Sequence, residues 1–142
     1  MLHKSVYEKL FGWNNERALV AEFYDYRSHR KIVIVSLHAT HLVASNSLRR
    51  RQIGEVFRRL EHQNAPVVIA GDYNYPLFHS KLKTFITEKE YELHIPPDVT
   101  YKARKYKGKF DFVSTRHVLS TQLSVLPEGQ SDHSPIQALI EY

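Results

Sequence analysis

The stretch Val67-Val68-Ile69-Ala70-Gly71-Asp72-Tyr73-Asn74-Tyr75-Pro76 constrains this chain more than any other. Its first four residues are apolar and three of them are β-branched, so they read as a short buried strand. Gly71 ends the run and permits a sharp turn. Asp72 and Asn74 then stand two apart at the strand's C-terminal end, where α/β proteins place their chemistry. A polar turn closed by Pro76 is the plainer reading of the same residues.

The flanking sequence supplies a sheet and helices around this strand. Arg17 to Tyr26 reads as a strand buried on both faces, and Lys31 to Leu37 as its hairpin partner across a turn at 27–30. A helix starts near Ser47. Its residues Ile53, Val56, Phe57 and Leu60 share one apolar face, with Arg49, Arg50, Arg51, Arg58 and Arg59 on a solvated one. The helix stops before Pro66. Ser80 is placed to N-cap a shorter helix through Leu82, Phe85 and Ile86. Further strands follow at Thr100-Tyr101, Phe110 to Thr115, Val118 to Leu126 and Ile136 to Tyr142. The order β-β-α-β-α-β-β-β-β indicates a mixed-sheet α/β fold. Residues 1–16 carry no clear pattern.

Composition narrows the partners. The net charge is +5, which favours a polyanion such as nucleic acid or an anionic lipid surface. With no cysteine, disulfides and thiolate metal sites are excluded. No apolar run approaches the roughly 20 residues of a membrane span. Met1 to Ser5 lacks the apolar core of a signal peptide, so the cytoplasm is the default expectation.

Phosphodiester hydrolysis needs an oriented water, an offset for charge on the phosphoryl oxygens and a stabilised leaving group. The residue types for this are present. Asp72 can accept or aim the water's proton. Asn74 can donate to the phosphate or the nucleophile. His133, in Ser131-Asp132-His133-Ser134-Pro135, can contact phosphate when protonated. Asp111, in Phe110-Asp111-Phe112-Val113, can orient that imidazole. Asp132 is a hard oxygen donor suited to Mg²⁺ or Mn²⁺. The basic loop Lys102 to Lys109, with Tyr101 and Tyr106, offers cations for phosphates and aromatics for bases. Each of these has a structural alternative: a core or loop histidine, a turn cap, an Asx turn, a solvated hairpin.

Taken together, Gly71-Asp72-Tyr73-Asn74, Phe110-Asp111-Phe112 and Ser131-Asp132-His133 resemble the endonuclease/exonuclease/phosphatase superfamily, which includes pancreatic deoxyribonuclease, apurinic-site endonucleases and neutral sphingomyelinases. The resemblance runs from about Arg17 to Tyr142. It implies a four-layer, two-sheet α/β sandwich and a Mg²⁺- or Mn²⁺-dependent phosphodiesterase or phosphatase, a nuclease first among these. It assigns catalysis to Asp72, Asn74, Asp111, His133 and His38, with His41 the alternative to His38, and metal binding to Asp132. Arg50, Arg104, Lys105 and Lys107 are the expected contacts to phosphate or nucleic acid.

The chain also departs from that pattern. Domains of this kind reach roughly 200–250 residues. The family's early strand Asn and its Gln-Glu pair, whose Glu is the principal metal ligand, have no match here; Glu8 and Glu16 follow neither a strand nor a glutamine. The expectation is therefore residues 1–16 followed by a partial domain at 17–142, with the N-terminal part of the fold missing and a sheet edge left uncovered. The missing half of the domain would itself be a partner. Glu16 and Glu22 are the first substitute metal ligands to consider. The competing function is a non-catalytic remnant that binds nucleic acid or a partner. A calcineurin-like phosphoesterase, suggested faintly by His38-x-x-His41, lacks its required Asp-x-His and Gly-His-x-His motifs.

Overall fold

Two strands rich in β-branched and aromatic residues open the described fold. The computed structural model describes residues 17–41, 44–103, 106–127 and 129–142. Strand β1 (Arg17–Asp25) pairs antiparallel with β2 (Arg30–His38) around the turn at 26–29. The chain then crosses over through helix α1 (Asn46–Arg59) to β3 (Val67–Asp72), which lies parallel to β2. Such a parallel pair needs a crossover of this kind. Helix α2 (His79–Thr87) and the short β4 (Glu92–His94) follow. A small hairpin, β5 (Tyr101–Ala103) and β6 (Tyr106–Gly108), precedes β7 (Asp111–Arg116). The last hairpin is β8 (Ser120–Val125) with β9 (Ile136–Glu141).

Five strands form the main sheet in the order β1-β2-β3-β7-β4. Side chains alternate across it, as the period of a strand requires. One face carries Val33, Val35 and Leu37 of β2, Val67 and Ile69 of β3 and Phe112 of β7. These pack with Ile53, Val56 and Phe57 of α1 and Leu82 and Ile86 of α2 into the principal core. The other face carries Ile32, Val68 and Val113, covered by Leu123 of β8, Ile140 of β9 and Tyr142. The described residues thus stack as helices, main sheet and a second, two-stranded sheet. This is the expected α/β sandwich architecture, seen here as three layers.

Three local expectations are corrected. β1 is an edge strand rather than one buried on both faces; Leu19 is 69% and Phe23 52% exposed, and Val20 and Tyr24 also face solvent. Ser80 does not cap α2. The helix starts one residue earlier, after Phe78 in the left-handed region (φ 62°), and Ser80 spends its carbonyl on the Thr84 hydroxyl. Arg49 does not belong to a solvated face. It is 1% exposed and donates to the carbonyls of Thr40 and His41 and to Asn46 Oδ1. The real cap of α1 is Ser45, whose Oγ accepts from the Leu48 N–H.

The glycine of the central motif is required by the neighbouring strand. Gly71 has φ 141°, and a Cβ there would stand 2.0 Å from the carbonyl oxygen of Leu37. Tyr73, immediately beyond the strand, is fully buried; its hydroxyl is 3.1 Å from the Ile69 carbonyl and 2.9 Å from the Ser114 hydroxyl. Gly71→Ala is expected to destabilise the fold by at least ~3 kcal/mol, because backbone strain and a main-chain clash add. Tyr73→Phe is expected to cost about 1–2 kcal/mol through the buried polar groups it leaves unpaired. Urea unfolding midpoints of both variants check these values and their order.

Candidate active site

Register places three candidate site side chains side by side. His38 closes β2, Asp72 closes β3 and Asp111 opens β7; His38 pairs with Asp72, and Asp72 with Asp111. Residues opposite one another on adjacent strands share a face, and neighbouring strands lie roughly 4.8 Å apart. The three therefore form a row at one end of the main sheet, on the face covered by β8 and β9. The parallel β2–β3 pair contributes two C-terminal ends, and antiparallel β7 contributes its beginning.

Asn74 fixes the central carboxylate. It holds a left-handed backbone conformation (φ 48°), in which Asn is better tolerated than most residues. Its backbone N–H donates to Asp72 Oδ1 at 2.7 Å, and its Nδ2 donates to Asp72 Oδ2 at 2.8 Å and to the Ala39 carbonyl at 3.1 Å. One amide thus ties the end of β3 to the residue after His38. The Asp72 carboxyl is pushed up to about 6. Burial is the main cause and the charge of Asp111 adds to it; the Asn74 N–H, His133 and His38 pull the other way.

His133 arrives from the loop before β9. Its Nδ1 is 2.8 Å from Asp111 Oδ2. A carboxylate only accepts, so Nδ1 carries the proton and Nε2 points onward. That Nε2 stands 4.0 Å from Asp72 Oδ2, and His38 Nε2 stands 3.8 Å from the same oxygen. Both distances exceed hydrogen-bond length. Two imidazole nitrogens therefore converge on one carboxylate oxygen, leaving their own hydrogen-bonding capacity for a ligand. The Asp72 and Asp111 side chains are 17% and 16% exposed, and His38 is the most open at 49%. Beside the row, an apolar cleft of about 590 Å³ opens between Ile34, Ser36 and Ala70 on one side and Pro135, Ile136 and Ala138 on the other.

The structure brings together Asp72, Asn74, Asp111, His133 and His38. His38, and not His41, is the histidine beside Asp72; His41 is exposed, and its carbonyl accepts from Arg49 and from the Ala44 N–H. Arg50 is not brought to the row. It donates to the Tyr75 hydroxyl and lines a separate cleft between the helices with Phe57 and Phe85. Lys107 is exposed on β6. Arg104 and Lys105 lie outside the described residues, as do Glu8 and Glu16.

Two contributors escaped the sequence reading. Arg49 and Gln52 of α1 hold the segment after His38, Gln52 by accepting the Thr40 N–H at 2.8 Å. Thr100 and Tyr101 hold Asp111 and His133, and the Tyr101 ring lies 4.8 Å from the His133 ring. The signal for the first pair was helical spacing, which puts Arg49 and Gln52 on the same face as Ile53, Val56 and Leu60. For the second there was none beyond a β-branched residue before an aromatic.

The donors present do not by themselves suit a resident Mg²⁺ or Mn²⁺. Asp132 is exposed, and its carbonyl accepts from the Lys102 N–H. Both Asp72 oxygens already accept from Asn74, and Asp111 is engaged by His133. Glu22 cannot substitute. It lies on the helix-side face, opposite Val33, and contacts Lys31 and Gln63. Among the described residues no group of three or more His, Asp or Glu is arranged to hold a metal ion. One hard carboxylate with water binds Mg²⁺ weakly.

No protein-family model matches the chain. It is 26% identical over 120 residues to a UPF0294 protein of Erwinia tasmaniensis, covering 84% of this chain and 44% of that protein. A UPF0294 protein of Yersinia pseudotuberculosis is 22% identical over 127 residues, covering 84% and 46%. The chain thus spans about half the length of these relatives. Among solved structures, an endonuclease/exonuclease/phosphatase of Bacteroides vulgatus superposes with TM-score 0.68 at 22% identity, covering 87% of this chain and 54% of that one. The mannosyl-6-phosphatase of Bacteroides thetaiotaomicron gives 0.66 at 14% identity, covering 88% and 57%. A Staphylococcus aureus beta toxin with bound magnesium ions gives 0.69 at 14% identity, covering 90% and 58%. The ordered motifs, the registered row and these superpositions agree: the chain has the fold of the endonuclease/exonuclease/phosphatase proteins.

Proposed function

We propose that this chain carries the acid–base half of a phosphoester hydrolase site, with a nucleic-acid phosphodiester the first substrate to test. The observation that carries the reading is the His38–Asp72–Asp111 row closed by His133. Asp72, ionised, orients a water and accepts its proton; burial leaves it poised to take one near neutrality. Asn74 keeps that carboxylate in one orientation. His133, steadied by Asp111, contacts a phosphoryl oxygen in its doubly protonated form, donating from Nε2, and protonated His38 donates to a second from the other side. The developing negative charge is met by the imidazoles in a partly water-excluded setting.

One structural neighbour, a Staphylococcus aureus beta toxin, holds bound magnesium ions, and a divalent ion bound here would supply further charge stabilisation. Here Asp132 is the proposed ligand from this chain. The remaining ligands would have to come from polypeptide outside the described residues. With Asp132 the one proposed ligand among the described residues, the 142-residue chain is expected to show little Mg²⁺- or Mn²⁺-dependent turnover of bis(p-nitrophenyl) phosphate. Whatever rate it has should fall by about 10²-fold or more in Asp72→Ala and in His133→Ala. Robust turnover in the isolated chain would refute the incomplete-site reading. Rates unchanged by either substitution would remove the row from catalysis.

The sign of the pH dependence follows from Asp72. Its working form is the carboxylate, and burial raises its pKa to about 6. Asp72 ionisation should give the profile a limb that rises as pH increases from about 5 to 7. Asp72→Asn should abolish that limb of the profile.

A second reading, a nucleic-acid-binding module without turnover, is favoured by the shortage of metal donors among the described residues and by the β5–β6 hairpin. There Tyr106 and Lys107 are exposed beside Tyr101 and His133. If the hairpin contacts a phosphate backbone, Lys107→Ser should weaken single-stranded DNA binding and reduce the log–log salt slope by about 1. An unchanged slope assigns Lys107 to the solvent.

No helix among the described residues is long and apolar enough to cross a membrane.

A further inference from the structure

The charged members of the site are held by a residue that is neither charged nor exposed. Thr100 is 0% exposed. Its Oγ1 accepts two backbone N–H groups, from Phe110 at 3.0 Å and from Asp111 at 3.2 Å. Its own N–H donates to the Gly108 carbonyl at 3.1 Å. Its carbonyl accepts the Ser134 N–H at 2.7 Å. Two rungs further along the same strand, the Lys102 N–H donates to the Asp132 carbonyl at 2.8 Å, and Tyr101 forms a bridge with His133 between them. Residues 100–102 and 132–134 are therefore a short antiparallel ladder.

We propose that Thr100 is the positioning residue for the Asp111–His133 pair, on which the hydrolase reading above rests. Its hydroxyl fixes the backbone of Asp111, and its carbonyl fixes the residue after His133. One side chain and its peptide thus set the separation of a carboxylate on β7 and an imidazole on a loop 22 residues later in sequence. A valine of the same shape would fill the space and offer no acceptor. Two buried N–H groups would then lose their partner, a penalty that structures avoid by shifting the backbone. Asp111 begins at one of those two groups, so the shift is delivered to the 2.8 Å contact.

The test uses the chain as it stands, with ring ¹⁵N-labelled histidine and two-bond ¹H–¹⁵N spectra at about pH 8, where an ordinary imidazole is neutral. In the parent chain His133 should be the Nδ1–H tautomer. Thr100→Ser, which keeps the hydroxyl, should preserve it. Thr100→Val should convert His133 to a mixture of tautomers while the methyl spectrum of the core stays folded. A folded Thr100→Val chain with an unchanged His133 tautomer overturns the proposal. If Thr100→Val does not fold, hydrogen exchange of the parent decides: the Phe110 and Asp111 amides should be protected at least 10³-fold, and free exchange of both overturns it. Turnover separates this inference from the reading it rests on. Where the row is catalytic, Thr100→Val should lower kcat about tenfold with KM unchanged, and Thr100→Ser should restore it. A tautomer change in Thr100→Val alongside an unaffected rate in His133→Ala retains the positioning role and removes the catalytic one.

Discussion

The close approach of β2 and β3 at Leu37 and Gly71 is the contact on which the site depends. Without a side chain at Gly71, the Leu37 carbonyl occupies the space where a Cβ would be. The two strands can then stay in parallel register up to their last residues, His38 and Asp72. The ladder continues one step beyond, where the Ala39 N–H donates to the Asp72 carbonyl at 2.8 Å. Asn74 crosses the same seam with its side chain. Any residue larger than glycine would separate the strands where the two functional groups must be neighbours.

Around that seam the polar groups are organised in tiers. His38 and His133 are the most open, their side chains 49% and 31% exposed, and stand beside the Asp72 carboxylate. Behind them, Asn74 and Asp111 fix orientation. Further back still, Arg49, Gln52 and Thr100 are buried and bind main-chain groups, Arg49 the Asn46 amide as well. A buried arginine costs desolvation unless its donors are matched. Here three carbonyl-type oxygens match them, and the loop after His38 is held as a result. Both strand-end loops and the segment carrying His133 are thereby tied to rigid elements, as a site requiring sub-ångström placement demands.

How much of this was legible in the sequence follows from the physics of each feature. The Val67–Asp72 strand and the α1 apolar face are periodic, and period survives without a structure. The motif residues Asp72, Asn74, Asp111 and His133 were legible as candidates because their residue types, in that order, match a family pattern. Arg49 was misread because a run of three arginines on a helix looks like solvent exposure, and only the loop carbonyls of Thr40 and His41 reveal its burial. β1 was read as doubly buried because its residues are apolar on both sides, whereas burial depends on what lies against it. β4 is three residues long, too short for any pattern. Thr100 works through backbone groups that every residue possesses, so its role leaves no mark on the side-chain sequence.

The tip of the β1–β2 hairpin, at 26–29, stands at the opposite end of the sheet from the row. Eight steps of β2 separate Arg30 from His38, roughly 26 Å at about 3.3 Å per residue. Asp25 closes that tip by accepting the N–H groups of Arg27 and Ser28 and the Ser28 hydroxyl, and the Tyr142 hydroxyl donates to the same carboxylate at 3.2 Å. That distance separates the tip from the chemistry. Natural variation can accumulate at 26–29, and a fluorophore or surface tether can be attached there, without disturbing the spacing of His38, Asp72 and Asp111.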